Sequence, residues 1–353
     1  MPPAISREAF GTAGCRPVER WTLDNGYGLA IAALTLGAAL QQVRAVDRLG
    51  ERGNVTLGWP TAEDYLVTPS PFFGVVAGRY ANRIGGARFT LDGRAFALPA
   101  NDGPNLLHGG PDGFDRRVWQ AEEATEGGQP AVRFALVSPD GDQGFPGTVR
   151  AAVTYLLTAD DALEVRYEAT TDAATVINLT QHAYWNLEGE QRGSALRHLL
   201  KIRASRYLPV DAAMIPTGDL APVAGTPFDF TSPHAIEARI REAHPDLALA
   251  GGYDHTLVFD AGGDGPAILL EAPVSGRLLA IETSEPGVQL YSGNFLDGRR
   301  AGIGGTLYRA GDGVCLETHH FPDSPNKPGF PSTVVRPGET WRSFTRFRFS
   351  VVP

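Results

Sequence analysis

Alternation with a period of two recurs along this chain and constrains its fold more than any other feature, because side chains two residues apart share a face in an extended strand. Leu163, Val165, Tyr167 and Ala169 interleave with Glu164, Arg166, Glu168 and Thr170. Val149, Val153, Tyr155 and Leu157 alternate against Arg150, Thr154 and Thr158, and Val132, Phe134 and Leu136 repeat the pattern. Near the C-terminus Trp341, Phe347, Phe349 and Val351 oppose Arg342, Arg346 and Arg348. Phe89 and Leu91, then Asp92-Gly93, then Phe96 and Leu98 predict a hairpin, since Asp-Gly tolerates the positive φ of a tight turn. Each such strand has an apolar face to bury, so many of them call for sheets packed face to face. The expected fold is all-β, a large antiparallel β-sandwich with few short helices. Helical pattern is confined to 233–243, where Ser232 caps, Pro233 suits the first turn and Ile236 and Ile240 sit one turn apart, and to a short piece at 61–66. No internal repeat or Pro- or Ser-rich linker divides the chain, so residues 1–353 are expected to form a single domain.

Composition removes several classes of partner. Lys plus Arg number 31 against 40 Asp plus Glu, a net charge of −9, and such a chain lacks the basic footprint of a nucleic-acid binder. No apolar run reaches the roughly 18 residues of a membrane span, and the N-terminus has no basic start followed by an apolar run. No membrane partner and a cytoplasmic location are expected. Cys15 and Cys315 are too few for a disulfide framework. Nucleotide loops of the GxxxxGK[ST] and GxGxxG types, a GxSxG elbow and HExxH are all missing. The histidines show no helical ligand spacing beside a third ligand, so a metal site is not expected.

Polar groups set into apolar strand pattern are the informative anomalies, because a buried titratable group is costly unless paired or used. In 178–187 the alternation places Asn178, Thr180, His182 and Tyr184 on one face, with Leu179, Gln181, Ala183 and Trp185 on the other. The first face suits a hydroxyl-rich ligand, although His182 also reads as an ordinary satisfied histidine. Glu317 follows Val314, Cys315 and Leu316 at the edge of a Pro-rich loop, where a partly dry pocket would raise its pKa toward that of a general base. The bland alternative is a solvated strand-end carboxylate. His108 precedes two glycines that would let backbone approach a ligand, and Asp254 and His255 lead a strand.

Together these segments resemble the aldose 1-epimerase family, the galactose mutarotases. GRYANRI (78–84), NLLHGG (105–110), NLTQHAYWNL (178–187), the stretch 208–230, GGYDHTLVFD (251–260), PGVQLYSGNFLDG (286–298) and CLETHHFPDSPN (315–326) follow the family's patterns in the family's order. The resemblance implies a mutarotase-type β-sandwich whose cleft takes a free aldose without metal or organic cofactor; the sequence does not fix the oligomeric state and leaves monomer or homodimer open. It implies Glu317 as catalytic base and His182 as catalytic acid. Asn82, Arg83, His108, Asp254 and Gln289 fall on the family's sugar-positioning residues, and Tyr184 shares the face of His182. Arg79 is expected to be structural, Asp323 and Asn326 to shape the loop after Glu317, and His255 to pack. Gln181, where relatives commonly carry Asn, is expected to point away from the cleft. His319-His320 depart from the pattern beside the base. The implied reaction is interconversion of α and β anomers by general acid–base ring opening, with a bell-shaped pH dependence through the histidine range. Three other readings stay open: a hexose-phosphate 1-epimerase using Arg79, Arg83 and Arg88, a glycoside hydrolase pairing Glu317 with Asp254, and a non-catalytic carbohydrate-binding module.

Overall fold

The computed structural model describes residues 2–352. Its largest sheet has nine strands, each antiparallel to its neighbour, in the order Gln120–Glu123, Ala131–Ser138, Val149–Leu157, Ala162–Thr171, Trp341–Val351, Arg277–Thr283, Ile268–Glu271, Leu199–Ile202 and His234–Ala235. A six-stranded antiparallel sheet runs Tyr184–Trp185, Val314–His319, Gly287–Tyr291, Asp254–Val258, Arg206–Tyr207 and Ala221–Pro222. A third sheet holds five strands between Ala4 and Asn54. The alternation read from the sequence sets the faces. Val153, Tyr155, Val165, Tyr167, Phe347 and Phe349 from the nine-stranded sheet meet Trp185, Val288, Leu290 and Leu316 from the six-stranded one in a single apolar cluster. Trp185 touches both Phe347 and Phe349, with ring centroids 5.3 and 5.9 Å away. The β-sandwich is thus the observed architecture.

The hairpin at 88–97 forms as expected, with Asp92 and Gly93 at φ 49° and 77°, the two positive values of a type I′ turn. The helix expected at 233–243 does not form. His234–Ala235 pairs as an edge strand with Leu199–Leu200, and Ile236–Ala238 is a single 3₁₀ turn whose Ile236 enters the core. The α-helix of this region lies just beyond, at Pro245–Ala250. His244 caps it, Pro245 opens it and Gly251 closes it in the left-handed conformation. Pro245, which would stop a helix running on from 233–243, is here the N1 residue, a place that its fixed φ and missing N–H favour. The piece at 61–66 is a 3₁₀ turn over Glu63–Leu66 with Tyr65 buried. Among the described residues no helix is long and apolar enough to cross a membrane.

Candidate active site

One face of the six-stranded sheet carries the chemistry. Its register sets Asp254, Tyr291, Cys315 and Tyr184 side by side on four neighbouring strands, and Thr256, Gln289 and Glu317 in the adjoining row. The alternate positions Leu257, Val288, Leu290, Val314, Leu316 and Trp185 point the other way, into the core. Burying those residues leaves the polar ones facing outward from the sandwich. The segment 178–187 joins them as two short strands, Thr180–Gln181 and Tyr184–Trp185, with His182 at the break between. Gln181 turns away as expected, its amide donating to the Gly74 carbonyl.

His182 Nε2 lies 3.7 Å from Glu317 Oε1, with both side chains buried. The imidazole stacks near-parallel on Phe72 and Tyr184, and His108 meets it edge-on with centroids 5.1 Å apart. Tyr184 donates its hydroxyl to the Pro71 carbonyl at 2.8 Å, so it supports the imidazole ring and keeps its own polar tip occupied. The second oxygen of Glu317 is buried and accepts no hydrogen bond among the described residues.

Arg83 bridges two carboxylates, with Nε 2.7 Å from Asp102 and a terminal nitrogen 3.6 Å from Asp254. Burial works against this cation, but Asp254 and Asp102 outweigh it and raise its pKa. Asp254 also accepts from the Gln289 amide at 2.6 Å, and Thr256 donates to the Gln289 carbonyl oxygen at 2.6 Å. Asn82, Asp254, Gln289 and Thr256 share one recess. Asn82 and His108 are non-glycine residues at φ 62° and 49°, as is Phe72 at 60°. Backbone in this region is disfavoured for such side chains and gathers at functional sites. The two residues brace each other: His108 N donates to the Asn82 carbonyl, and Asn82 N donates to His108 Nδ1 at 3.2 Å.

Burial moves the titratable groups toward their neutral forms. Glu317 is raised well above the ordinary carboxylate range by desolvation and then by Asp254, with Arg83 opposing. His182 is pushed down to about 4 by desolvation, against its own backbone carbonyl and Asp254. His108 is pushed well below 6.5 by burial, then by His182 and Arg83.

Ligand atoms of His108, His182 and Glu317 fall within 4.8 Å of one another, the spacing of a candidate metal cluster. The protons argue against that use. His108 Nδ1 accepts a backbone N–H, so the neutral ring carries its proton on Nε2 and faces the cleft as a donor without a free lone pair. That donor suits a sugar hydroxyl.

The structure therefore brings Glu317, His182, His108, Arg83, Asp254 and Gln289 together, with Asn82 in the same recess as Asp254 and Gln289. Other expectations resolve outside the cleft. Arg79 is buried, and its guanidinium donates to the carbonyls of Ser138, Pro139, Pro146 and Gly147. Asp323 accepts from Gly85 N and from Asn326, fixing the loop after Glu317. His255 packs on Phe228 with centroids 4.7 Å apart. The glycines after His108 serve the chain's own packing instead of a ligand: a Cβ at Gly109 would collide with the Gly78 carbonyl, and one at Gly110 would meet Gln143. A hollow on the nine-stranded sheet, lined by Arg133, Arg150, Glu168 and Arg342, offers no histidine and no converging acid–base pair. Phe72, Asp102 and Thr256 were not expected in the site. Asp102 sits in a turn-like NDGP stretch, and Phe72 in a Pro-flanked pair of phenylalanines, so their only sequence signals are those of loops.

Comparison with known proteins identifies the family. The family model described as aldose 1-epimerase matches residues 19–348. Galactose mutarotase of Mus musculus is 39% identical over 351 residues, covering 99% of each chain. Aldose 1-epimerase of Escherichia coli (strain K12) is 40% identical over 338 residues, covering 95% of this chain and 96% of the other. Among solved structures, galactose 1-epimerase from Lactobacillus acidophilus NCFM superposes with a TM-score of 0.89 at 27% identity, covering all of both chains. A family match over most of the chain, with relatives of this identity along its whole length, places it: the chain belongs to the aldose 1-epimerase family.

Proposed function

We propose that this protein is an aldose 1-epimerase, interconverting the α and β anomers of free hexoses such as glucose or galactose. The observation that carries the reading is the 3.7 Å approach of His182 Nε2 to Glu317 Oε1 on the polar face of the six-stranded sheet. The two oxygens that exchange protons in a hemiacetal are bonded to the same carbon, so the two catalysts must be near neighbours. In the forward step Glu317 takes the proton of the anomeric hydroxyl while His182 Nε2 gives one to the ring oxygen, and the bond from the anomeric carbon to the ring oxygen breaks. The aldehyde rotates about its bond to the next carbon. On reclosure the former ring oxygen returns its proton to His182 as it attacks, and Glu317 returns one to the carbonyl oxygen. Protons balance over the cycle, and no covalent adduct with the protein forms.

The unusual pKa values fit this chemistry. At rest the single proton of the pair lies mostly on Glu317, and its shift to His182 gives the minor ionised form that reacts; ring opening then converts that carboxylate and imidazolium back into a carboxylic acid and a neutral imidazole, the forms that a dry site prefers. The buried charges are thus discharged in the step they drive. Arg83 favours ionised Glu317, while His108 Nε2–H, Asp254, Gln289 and Asn82 position hydroxyls. General acid and base help is typically worth about 10²–10⁴ each.

A phosphorylated sugar is disfavoured, because Arg79 is committed to carbonyls, Arg83 to Asp102 and Asp254, and Arg88 lies exposed on another strand. The reading takes the chain as one domain, supported by an apolar cluster running from Trp21 to Phe349. It also takes the free sugar as substrate, a cytoplasmic location and a monomer or homodimer. The test is polarimetry of freshly dissolved α-glucose and α-galactose with and without protein. Glu317→Gln is expected to lose about 10²-fold or more in rate. Unaltered mutarotation in that variant would favour a non-catalytic sugar-binding module.

A further inference from the structure

The proposed proton donor uses Nε2 of His182, and the opposite nitrogen has a neighbour of its own. Cys315 Sγ lies 3.6 Å from Nδ1. Cys315 is fully buried and stands two residues before Glu317 on Val314–His319, so the period of two aims both side chains at the same face. Phe72 and Tyr184 set the plane of the imidazole by stacking. Stacking is blind to a half-turn about Cβ–Cγ, which exchanges Nδ1 with Cδ2 and Nε2 with Cε1. A flipped ring would offer carbon to the reacting oxygens.

We propose that Cys315 is a positioning residue for His182: its sulfur accepts the Nδ1–H hydrogen bond, holds Nε2 toward Glu317 and, as a weak acceptor, leaves the imidazolium a strong acid. The proposal rests on the reading of His182 as proton donor. A carboxylate at this place would stabilise the cation and blunt its acidity. A thiolate would do the same, but burial, then Glu317 and Asp254, push the Cys315 thiol well above its ordinary pKa and keep it neutral. The other groups facing the His182 ring are its own backbone carbonyl, Glu317 and His319 from the strand of Cys315, Asp254 from Asp254–Val258, His108 from its loop, and Tyr184. Their influence is common to the variants below.

The test compares Cys315→Ala and Cys315→Ser with the parent protein by polarimetric pH–rate profiles and by ¹⁵N resonances of the His182 ring. Removing the acceptor in the alanine variant is expected to lower kcat about tenfold, the worth of one hydrogen bond, with KM little changed. It destabilises the imidazolium, so the acid limb moves to lower pH. Serine, a stronger acceptor, restores kcat and moves that limb to higher pH by about half a unit. Opposite movements are what loss of packing cannot produce. Limbs that stay in place, limbs that move together, or a kcat loss that serine leaves unrepaired would each overturn the proposal. If the alanine variant fails to fold, serine decides alone, and an unmoved limb with an unmoved Nδ1 resonance overturns it. If the parent protein has no mutarotase activity, the functional reading fails instead, and the Nδ1 resonance of the variants still tests the sulfur contact.

Discussion

A single proton shared between two side chains sets the pH behaviour of this site. Burial holds His182 at about 4 and lifts Glu317 well above its usual range, so over a wide span the pair binds one proton in total. Removing that proton leaves no acid, and adding a second leaves no base. The rate is therefore expected to be flat through pH 6.5, to fall near pH 4 as His182 takes up a proton beside protonated Glu317, and to fall again on the alkaline side as the pair loses its last one. The sequence alone places the histidine limb in the ordinary histidine range, and the dry cleft displaces it. Polarimetric rates from pH 3 to 10 check this, and a break near 6.5 would mean that His182 is wetter than its burial indicates. Arg83 supplies a second residue-level expectation. Asp102 holds its Nε at 2.7 Å while Asp254 takes the other side. Asp102→Asn removes one of the two anchors of the cation, and with no reacting atom in contact it is expected to raise KM several-fold and leave kcat nearly unchanged. A kcat loss matching that of Glu317→Gln would contradict this division of roles.

The loop of His108 is where an element's geometry becomes catalytic geometry. Gly109 sits at φ 89°, and a side chain there would strike the Gly78 carbonyl. Gly109→Ala is expected to destabilise the protein by about 1–3 kcal/mol through backbone strain and to lower kcat by displacing His108. Gly127→Ala is the control, since φ there is also positive, at 56°, but nothing lies within 4 Å of the new Cβ. Thermal melts and polarimetry on both separate strain alone from strain plus collision. Equal effects in the two variants would refute the collision. The same contrast between elements explains what could be read in advance. Ala162–Thr171 and Trp341–Val351 have one wet and one dry face, so alternation exposes them. Val314–His319 and Gly287–Tyr291 are buried at every position, one face by the core and the other by the cleft, and burial on both faces erases the period. Glu317 and Gln289 were therefore legible through family pattern, whereas Cys315 as a partner of His182 was not legible at all. The helix at Pro245–Ala250 was missed because a proline marks a beginning as readily as an end.

Across the whole molecule, the protons withheld from buried groups decide how the sandwich responds to acid. His182, His198, His255 and His319 are each lowered to about 4, and His108 is also lowered, in every case chiefly by desolvation. Opposing them, burial raises Asp115 to about 7 and also raises Glu190 and Glu317. A base lowered in the folded state contributes stability that is complete above its unfolded pKa near 6.5 and is lost as pH falls toward 4. A carboxylic acid raised in the folded state does the reverse, gaining stability as pH falls toward its unfolded pKa. Five histidines outnumber three carboxylic acids, so between pH 6.5 and 4 the unfolded chain binds more protons and acidification weakens the fold. The net slope is on the order of 1–3 kcal/mol per pH unit. Below that window the exposed Asp160 and Asp172 and the half-buried Asp229, lowered by side-chain and backbone hydrogen bonds, add to the loss. Urea midpoints read by tryptophan fluorescence are expected to fall steadily from pH 7 to pH 4.5. A midpoint that rises over this range would show that Asp115, Glu190 and Glu317 dominate. Substituting His198, which accepts from the Leu187 N–H and interacts with Glu188 and Ala195 and with none of the cleft residues named above, with Gln should flatten the dependence while leaving the polarimetric pH profile in place, separating the protons that hold the fold from the proton that does the work.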